Sequence, residues 1–200
     1  MNRALISLYV LLTAPIPVPW TLLIKGAVVV LAYALARPFE DVIGIGAINI
    51  AVLAGILAAA YRNLPRVFSV KIPTATALGT MVPLIMGLSA VTLYLPAALL
   101  PFAITLGWAA MGALYGAMLL WDRALFEEAG WTTESWGLEG QVNAVRWTIL
   151  RCAGMATANA YAATYGTSAE WIVAYAVLPI VFHALFYWSI LATHPYEDDE

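Results

Sequence analysis

The feature that most constrains this chain is the length of its uncharged stretches. Val42–Tyr61 and Ala97–Trp121 each run without one Asp, Glu, Lys, Arg or His. Crossing a bilayer's hydrocarbon core of about 30 Å takes about 20 apolar residues in a helix. Backbone N–H and C=O groups find no water there, so such a stretch must be helical, satisfying them internally. Further apolar stretches repeat the pattern. They predict an all-α, polytopic transmembrane helix bundle with about six spans: 20–36, 42–61, 75–94, 97–121, 147–164 and 171–193. Charged residues are 10% of the 200-residue chain and hydrophobic ones 63%, which leaves no length for a soluble domain. Residues 1–200 are expected to form a single integral membrane domain.

Two segments fall outside these spans. Ala4–Leu12 is apolar but short, and it runs into Pro15, Pro17 and Pro19. Each proline lacks the N–H a helix needs, so a short interfacial or re-entrant half-helix is expected there. Residues 122–146 form the one long polar segment. Trp131 and Trp136 lie among Glu127, Glu128, Glu134 and Glu139, with glycines at 130, 137 and 140. Indoles favour the headgroup region, so this segment is expected to lie along the membrane surface.

Lysine and arginine placement gives an orientation. With six spans and the N-terminus inside, Arg3, Arg62, Arg66, Lys71, Arg123 and Arg146 fall on the cytoplasmic side and Arg37 alone on the other. Both termini are then cytoplasmic, including the acidic tail Glu197-Asp198-Asp199-Glu200. Trp20, Tyr61, Tyr94, Trp121, Trp147 and Trp171 fall near span ends, as interfacial aromatics do.

Polar residues within the spans are the functional candidates, because hydrocarbon makes them costly. Lys25 stands five residues into the first span, where its stem can snorkel to the headgroups or its ammonium can pair inside the bundle. Arg151 is about a turn inside the fifth span; it snorkels or, with Arg146, holds an anionic lipid headgroup. Asn49 and Asn159 lie deeper, and each is expected to hydrogen-bond a neighbouring helix. The other role open to them is a polar step in a substrate path. His183 shares a helix face with Tyr187 and is read as a hydrogen-bonded core histidine, with a proton relay as the sharper alternative.

Other chemistry is excluded or unsupported. His183 and His194, eleven residues apart on one helix, are roughly 16 Å apart along its axis and cannot clamp one haem iron between them. There is no Cys-x-x-Cys, phosphate-binding glycine loop or His-Glu-x-x-His, and Asp122-x₄-Glu127-Glu128 does not match a magnesium–diphosphate motif. The lone Cys152 permits no internal disulfide. No metal or cofactor is expected, and a net charge of −3 offers no basic face to nucleic acid. Small residues, by contrast, are arranged for close helix packing: Gly112 and Gly116 form a GxxxG, and Gly154, Ala158 and Ala162 a small-xxx-small ladder.

Glu139-Gly140, Arg146-Trp147, Asn159, Ser168-Ala169-Glu170-Trp171 and Pro179 form an ordered series. It resembles the C-terminal half of the intracellular septation protein A family of bacterial inner-membrane proteins, and the resemblance covers the C-terminal third of this chain. In that family an Arg-Trp pair opens a helix that ends near an asparagine, and a Ser/Thr-x-acid-x-Trp element opens a last helix carrying a proline. Tyr61-Arg62-Asn63-Leu64-Pro65 is similar to its loop after an early helix. Of the family's Lys-rich element only Lys71-Ile72-Pro73-Thr74 is present, and it comes early. The resemblance implies a non-enzymatic inner-membrane protein tied to envelope integrity and septation, and it transfers no catalytic residue. Two other readings stand beside it. One is an accessory subunit of a larger respiratory or photosynthetic membrane complex. The other is a small transporter or lipid-handling enzyme built around Arg151, Asn159 and His183. Membrane lipids and protein partners within the membrane are the expected contacts.

Overall fold

The computed structural model describes residues 19–69, 74–121 and 137–193, with side chains left aside at 62–69, 74–81, 84 and 191. The described residues contain no strand. They form six long helices: α1 (Trp20–Ala36), α2 (Ala47–Ser69), α3 (Thr74–Tyr94), α4 (Leu100–Trp121), α5 (Leu138–Tyr165) and α6 (Ser168–Thr193). The expected N-terminal half-helix and residues 122–136 of the expected surface segment lie outside the described residues.

Helix ends follow local chemistry. Pro19 starts α1 by accepting the Leu22 N–H at 2.8 Å, and Pro96 acts in the same way on Leu99 at 2.8 Å just ahead of α4. A proline can accept at a helix start, where its missing N–H is not needed. The stretch 42–61 is not one helix. Arg37–Phe39 makes a 3₁₀ turn and Glu40–Ile43 a single α-turn, closed by Gly44 at φ 68°. That left-handed conformation costs other residues about 1–2 kcal/mol. The Glu40 carboxylate then accepts the Ala47 N–H at 2.7 Å, capping α2. A charged residue and a left-handed glycine thus set the start of α2 at Ala47.

The fifth span also differs from expectation. Residues 138–146 are not a separate surface segment but the first turns of a continuous 28-residue α5. Between α5 and α6 the turn is tight. Thr167 and Glu170 form a reciprocal capping box: the Thr167 N–H donates to Glu170 Oε2 at 2.7 Å and the Glu170 N–H to Thr167 Oγ1 at 3.3 Å.

Three segments, Trp20–Ile43, Leu100–Trp121 and Ser168–Ile190, are long and apolar enough to cross a membrane. Ala47–Tyr61 and Ile85–Tyr94 are apolar but shorter, and the first turns of α5 carry Glu139, Gln141, Asn143 and Arg146. Large apolar side chains point outward, among them Ile24, Leu31 and Leu35 on α1 and Leu106, Leu114 and Leu120 on α4. The inward face of α1 instead carries Gly26, Val29, Tyr33 and Ala36. This distribution is compatible with a membrane protein, whose solvent is as apolar as its interior.

The chain divides into two compact units. The first comprises 19–103 and 159–180, in which α1 packs on α2 and α2 on α3. Its core includes Val29, Ala47, Ala51, Trp171 and Ile172. The second comprises 104–158 and 181–193 of the described residues, with Val142, Val145, Cys152, Met155 and Ile190 in its core.

Two glycines separate backbone need from packing need. Gly44→Ala is expected to cost about 1 kcal/mol through its positive φ alone, since nothing lies within 4 Å of a Cβ there. Gly87→Ala, inside α3 and equally open, should be neutral or stabilising by up to ~1 kcal/mol. Melting temperatures in mild detergent should therefore move in opposite directions or leave Gly87→Ala unchanged.

Candidate functional site

The first unit holds a continuous row of polar and aromatic side chains from three helices, tied to a backbone carbonyl of a fourth. It begins at Asn159 on α5, which is 2% exposed. Its Nδ2 donates to the Pro101 carbonyl in the first turn of α4 at 2.8 Å. Its Oδ1 accepts the indole N–H of Trp171 on α6 at 3.1 Å. A buried amide left unpaired would cost a few kcal/mol; here its donor and its acceptor sides are both engaged. Trp171 then stacks on Tyr175, one turn further along α6, with ring centroids 5.3 Å apart and planes 15° from parallel. Over the other end of the row, the Lys25 ammonium lies 5.2 Å from the Tyr175 ring centroid, within cation–π range.

Lys25 therefore does not run back along α1 toward Trp20. Its Cε lies 3.5 Å from where a Cβ on Gly55 of α2 would sit, a position about 12 Å into that helix. Tyr175 lies about 10 Å into α6. The side chain is half-buried among α1, α2 and α6. Two glycines make the room. A Cβ on Gly55 would meet Val29 at 2.9 Å, and one on Gly26 would meet the Ala176 carbonyl oxygen at 3.2 Å. Leu22, Lys25, Gly26, Val29, Tyr175, Ala176 and Pro179 line a narrow crevice with no room for a water molecule.

A second tie holds α2 to the end of α3. Asn49 Nδ2 donates to the carbonyls of Thr92 at 2.6 Å and Leu95 at 2.8 Å. Both acceptors lie where a helix end leaves carbonyls without an intrahelical donor. Asn49 Oδ1 is buried without a hydrogen-bond partner and faces Gly46, where a Cβ would be 2.8 Å from it and 2.9 Å from the Ala97 Cβ.

In the second unit, Asn143 Nδ2 and Trp147 Nε1 on α5 both donate to the Thr193 hydroxyl on α6, at 2.9 and 2.8 Å. Arg151, half-buried on α5, places its guanidinium carbon 5.5 Å from the Phe186 ring centroid. Gly112 packs on α5, with a Cβ position 3.0 Å from that of Cys152, whereas Gly116 has nothing within 4 Å. The two halves of the GxxxG thus face different surroundings. Gly154 lies against the Phe182 ring, and Ala158 is half-buried. His183 is half-buried and engaged.

Among the described residues no group of His, Cys, Asp or Glu is placed to hold a metal ion. Asn159 belongs to one unit, Arg151 and His183 to the other, and none of the three lines the crevice. Sequence reasoning missed the Lys25–Tyr175–Trp171 row, which has no motif. It also missed the capping box, whose Thr-x-x-Glu spacing at 167–170 is legible in the sequence. Comparison with protein-family models, curated proteins and solved structures returns no match for this chain.

Asn49→Leu removes one buried and one part-buried bond and should destabilise the fold by about 1–3 kcal/mol. Gly46→Ala should weaken the same joint by forcing Asn49 or Ala97 to move. Both effects are readable as lower midpoints in detergent-to-SDS unfolding, with α-helix content at zero SDS unchanged.

Proposed function

We propose that this chain is a non-enzymatic, multi-pass membrane protein that acts through helix packing and protein contacts within the bilayer. It crosses a bacterial inner membrane six times with both termini in the cytoplasm. The observation that carries this reading is what the two buried asparagines do. Asn49 and Asn159 are buried, and both donate to backbone carbonyls of neighbouring helices. Neither lines the crevice in the first unit. The likeness of the 139–179 series to septation proteins directs the reading toward envelope integrity and septation.

One observation favours a second reading, an accessory subunit of a larger membrane complex. Only 6% of the apolar window of α4 is buried within the chain. Gly107 and Gly116 on this helix have open space where a Cβ would stand, which a close-packing partner helix can use.

The topology is tested by single cysteines on a Cys152→Ser background with a membrane-impermeant maleimide. Cysteines at Gly44, Pro96 and Thr167 should label from the periplasmic side, and those at Gly137 and Thr193 only after permeabilisation. Labelling of Pro96 and Gly137 from the same side would contradict six spans. The functional reading is tested by mild-detergent isolation of the tagged chain, resolved on a native gel with mass spectrometry. Co-isolated division and envelope proteins support the septation reading, and a stoichiometric respiratory or photosynthetic complex supports the accessory one. Isolation alone, with substrate turnover by the purified chain, overturns both.

A further inference from the structure

Asn143, Trp147 and Arg151 recur every four residues on α5 and so share one face of the helix. The first two end at the Thr193 hydroxyl, in an exposed polar cluster. Arg151 lies one turn further along, about 6 Å deeper. Phe186, whose ring its guanidinium covers, stands about 10 Å before Thr193 on α6. The side chain is thus held just inside a polar rim.

One of its hydrogen-bonding needs is unmet there. A guanidinium carries five N–H donors. Arg151 Nε is buried without a hydrogen-bond partner, and among the described residues no carboxylate pairs with the group. A half-buried cation without an anion is costly. The guanidinium carbon stands 5.5 Å from the Phe186 ring centroid, within cation–π range, and arginine N–H groups form bidentate pairs with phosphate. Arg146 has no part in it: five residues from Arg151, it stands about 140° round the helix.

We propose that Arg151 binds a phosphate oxyanion supplied by the head group of an anionic phospholipid lodged against α5 and α6 beside Trp147 and Phe186. A lipid phosphate entering past this rim meets the guanidinium where it lies over Phe186. Trp147 suits the same headgroup zone. This inference rests on the membrane reading above.

The test uses the full chain, first in native membranes and then in mild detergent. Resistance to carbonate extraction is checked first, and release by carbonate overturns the membrane reading itself. The purified protein is then titrated with phosphatidylglycerol or phosphatidylcholine of identical acyl chains, and retained lipid is counted by native mass spectrometry. Wild type should retain phosphatidylglycerol in preference to phosphatidylcholine. Arg151→Gln should lower phosphatidylglycerol retention about tenfold, the loss of one charge-assisted contact. Arg151→Lys should keep a part of it. A chain lacking residues 197–200 should bind as wild type does. Far-UV circular dichroism and gel filtration confirm that each variant is folded, and Arg151→Lys keeps the test decisive should Arg151→Gln fail to fold. Equal retention by wild type and a folded variant overturns the site. Binding that appears only after removal of 197–200 also overturns it, by making the tail carboxylates the partner of Arg151. Displacement of phosphatidylglycerol by millimolar inorganic phosphate would overturn the lipid as the source and leave free phosphate as the ligand.

Discussion

Asn159 is the side chain on which the geometry of the first unit depends. It bonds to two other helices at once, to the Pro101 carbonyl of α4 and to the Trp171 indole of α6. The apolar residues around it cannot supply this kind of order. Where both the surface and the core of a protein are apolar, burial of hydrocarbon does little to choose one packing over another. A directional bond does choose, because its alternatives leave a donor or an acceptor unpaired. With Trp171 fixed by its N–H, its ring plane is fixed too, and Tyr175 and then Lys25 take their places along it.

Small residues act as the complement of these bonds. Gly26 lets α1 approach the backbone of α6 at Ala176, Gly46 lets the start of α2 approach Asn49 and Ala97, and Gly154 lies against Phe182. In each case the missing Cβ is what permits the contact. Close backbone approach increases dispersion contact, which association between helices in an apolar solvent needs in place of the hydrophobic effect. Pro179 adds to this pattern: it removes a helix donor to the Tyr175 carbonyl while lining the crevice beside Lys25.

Much of the helical layout was legible in the sequence. The bounds 20–36 match α1, and 75–94 falls within one residue of α3, because prolines, charges and aromatic residues mark those ends clearly. Legibility failed where a polar segment is nonetheless helical, as at 138–146. It also failed where a break depends on a single left-handed glycine, as at Gly44. The direction of the Lys25 side chain was not legible either. Snorkelling toward Trp20 and turning inward use the same residue at the same helix position. The choice is made by Gly55 and Tyr175, which lie 30 and 150 residues away in the chain. The asparagines read as interhelical bonds from their residue type and position, but the groups they donate to are backbone carbonyls, which no side-chain pattern announces.

The most direct measurement of this account is the coupling between Asn159 and Trp171. A double-mutant cycle of Asn159→Ala and Trp171→Phe, read by reversible unfolding in mixed micelles, isolates the bond while keeping an aromatic ring against Tyr175. A coupling energy of about 0.6 kcal/mol, reaching at most about 1.7, is predicted, the average and the upper end for hydrogen bonds between helices in membranes. Strictly additive effects of the two substitutions would contradict the claim that this polar pair holds the helices in place.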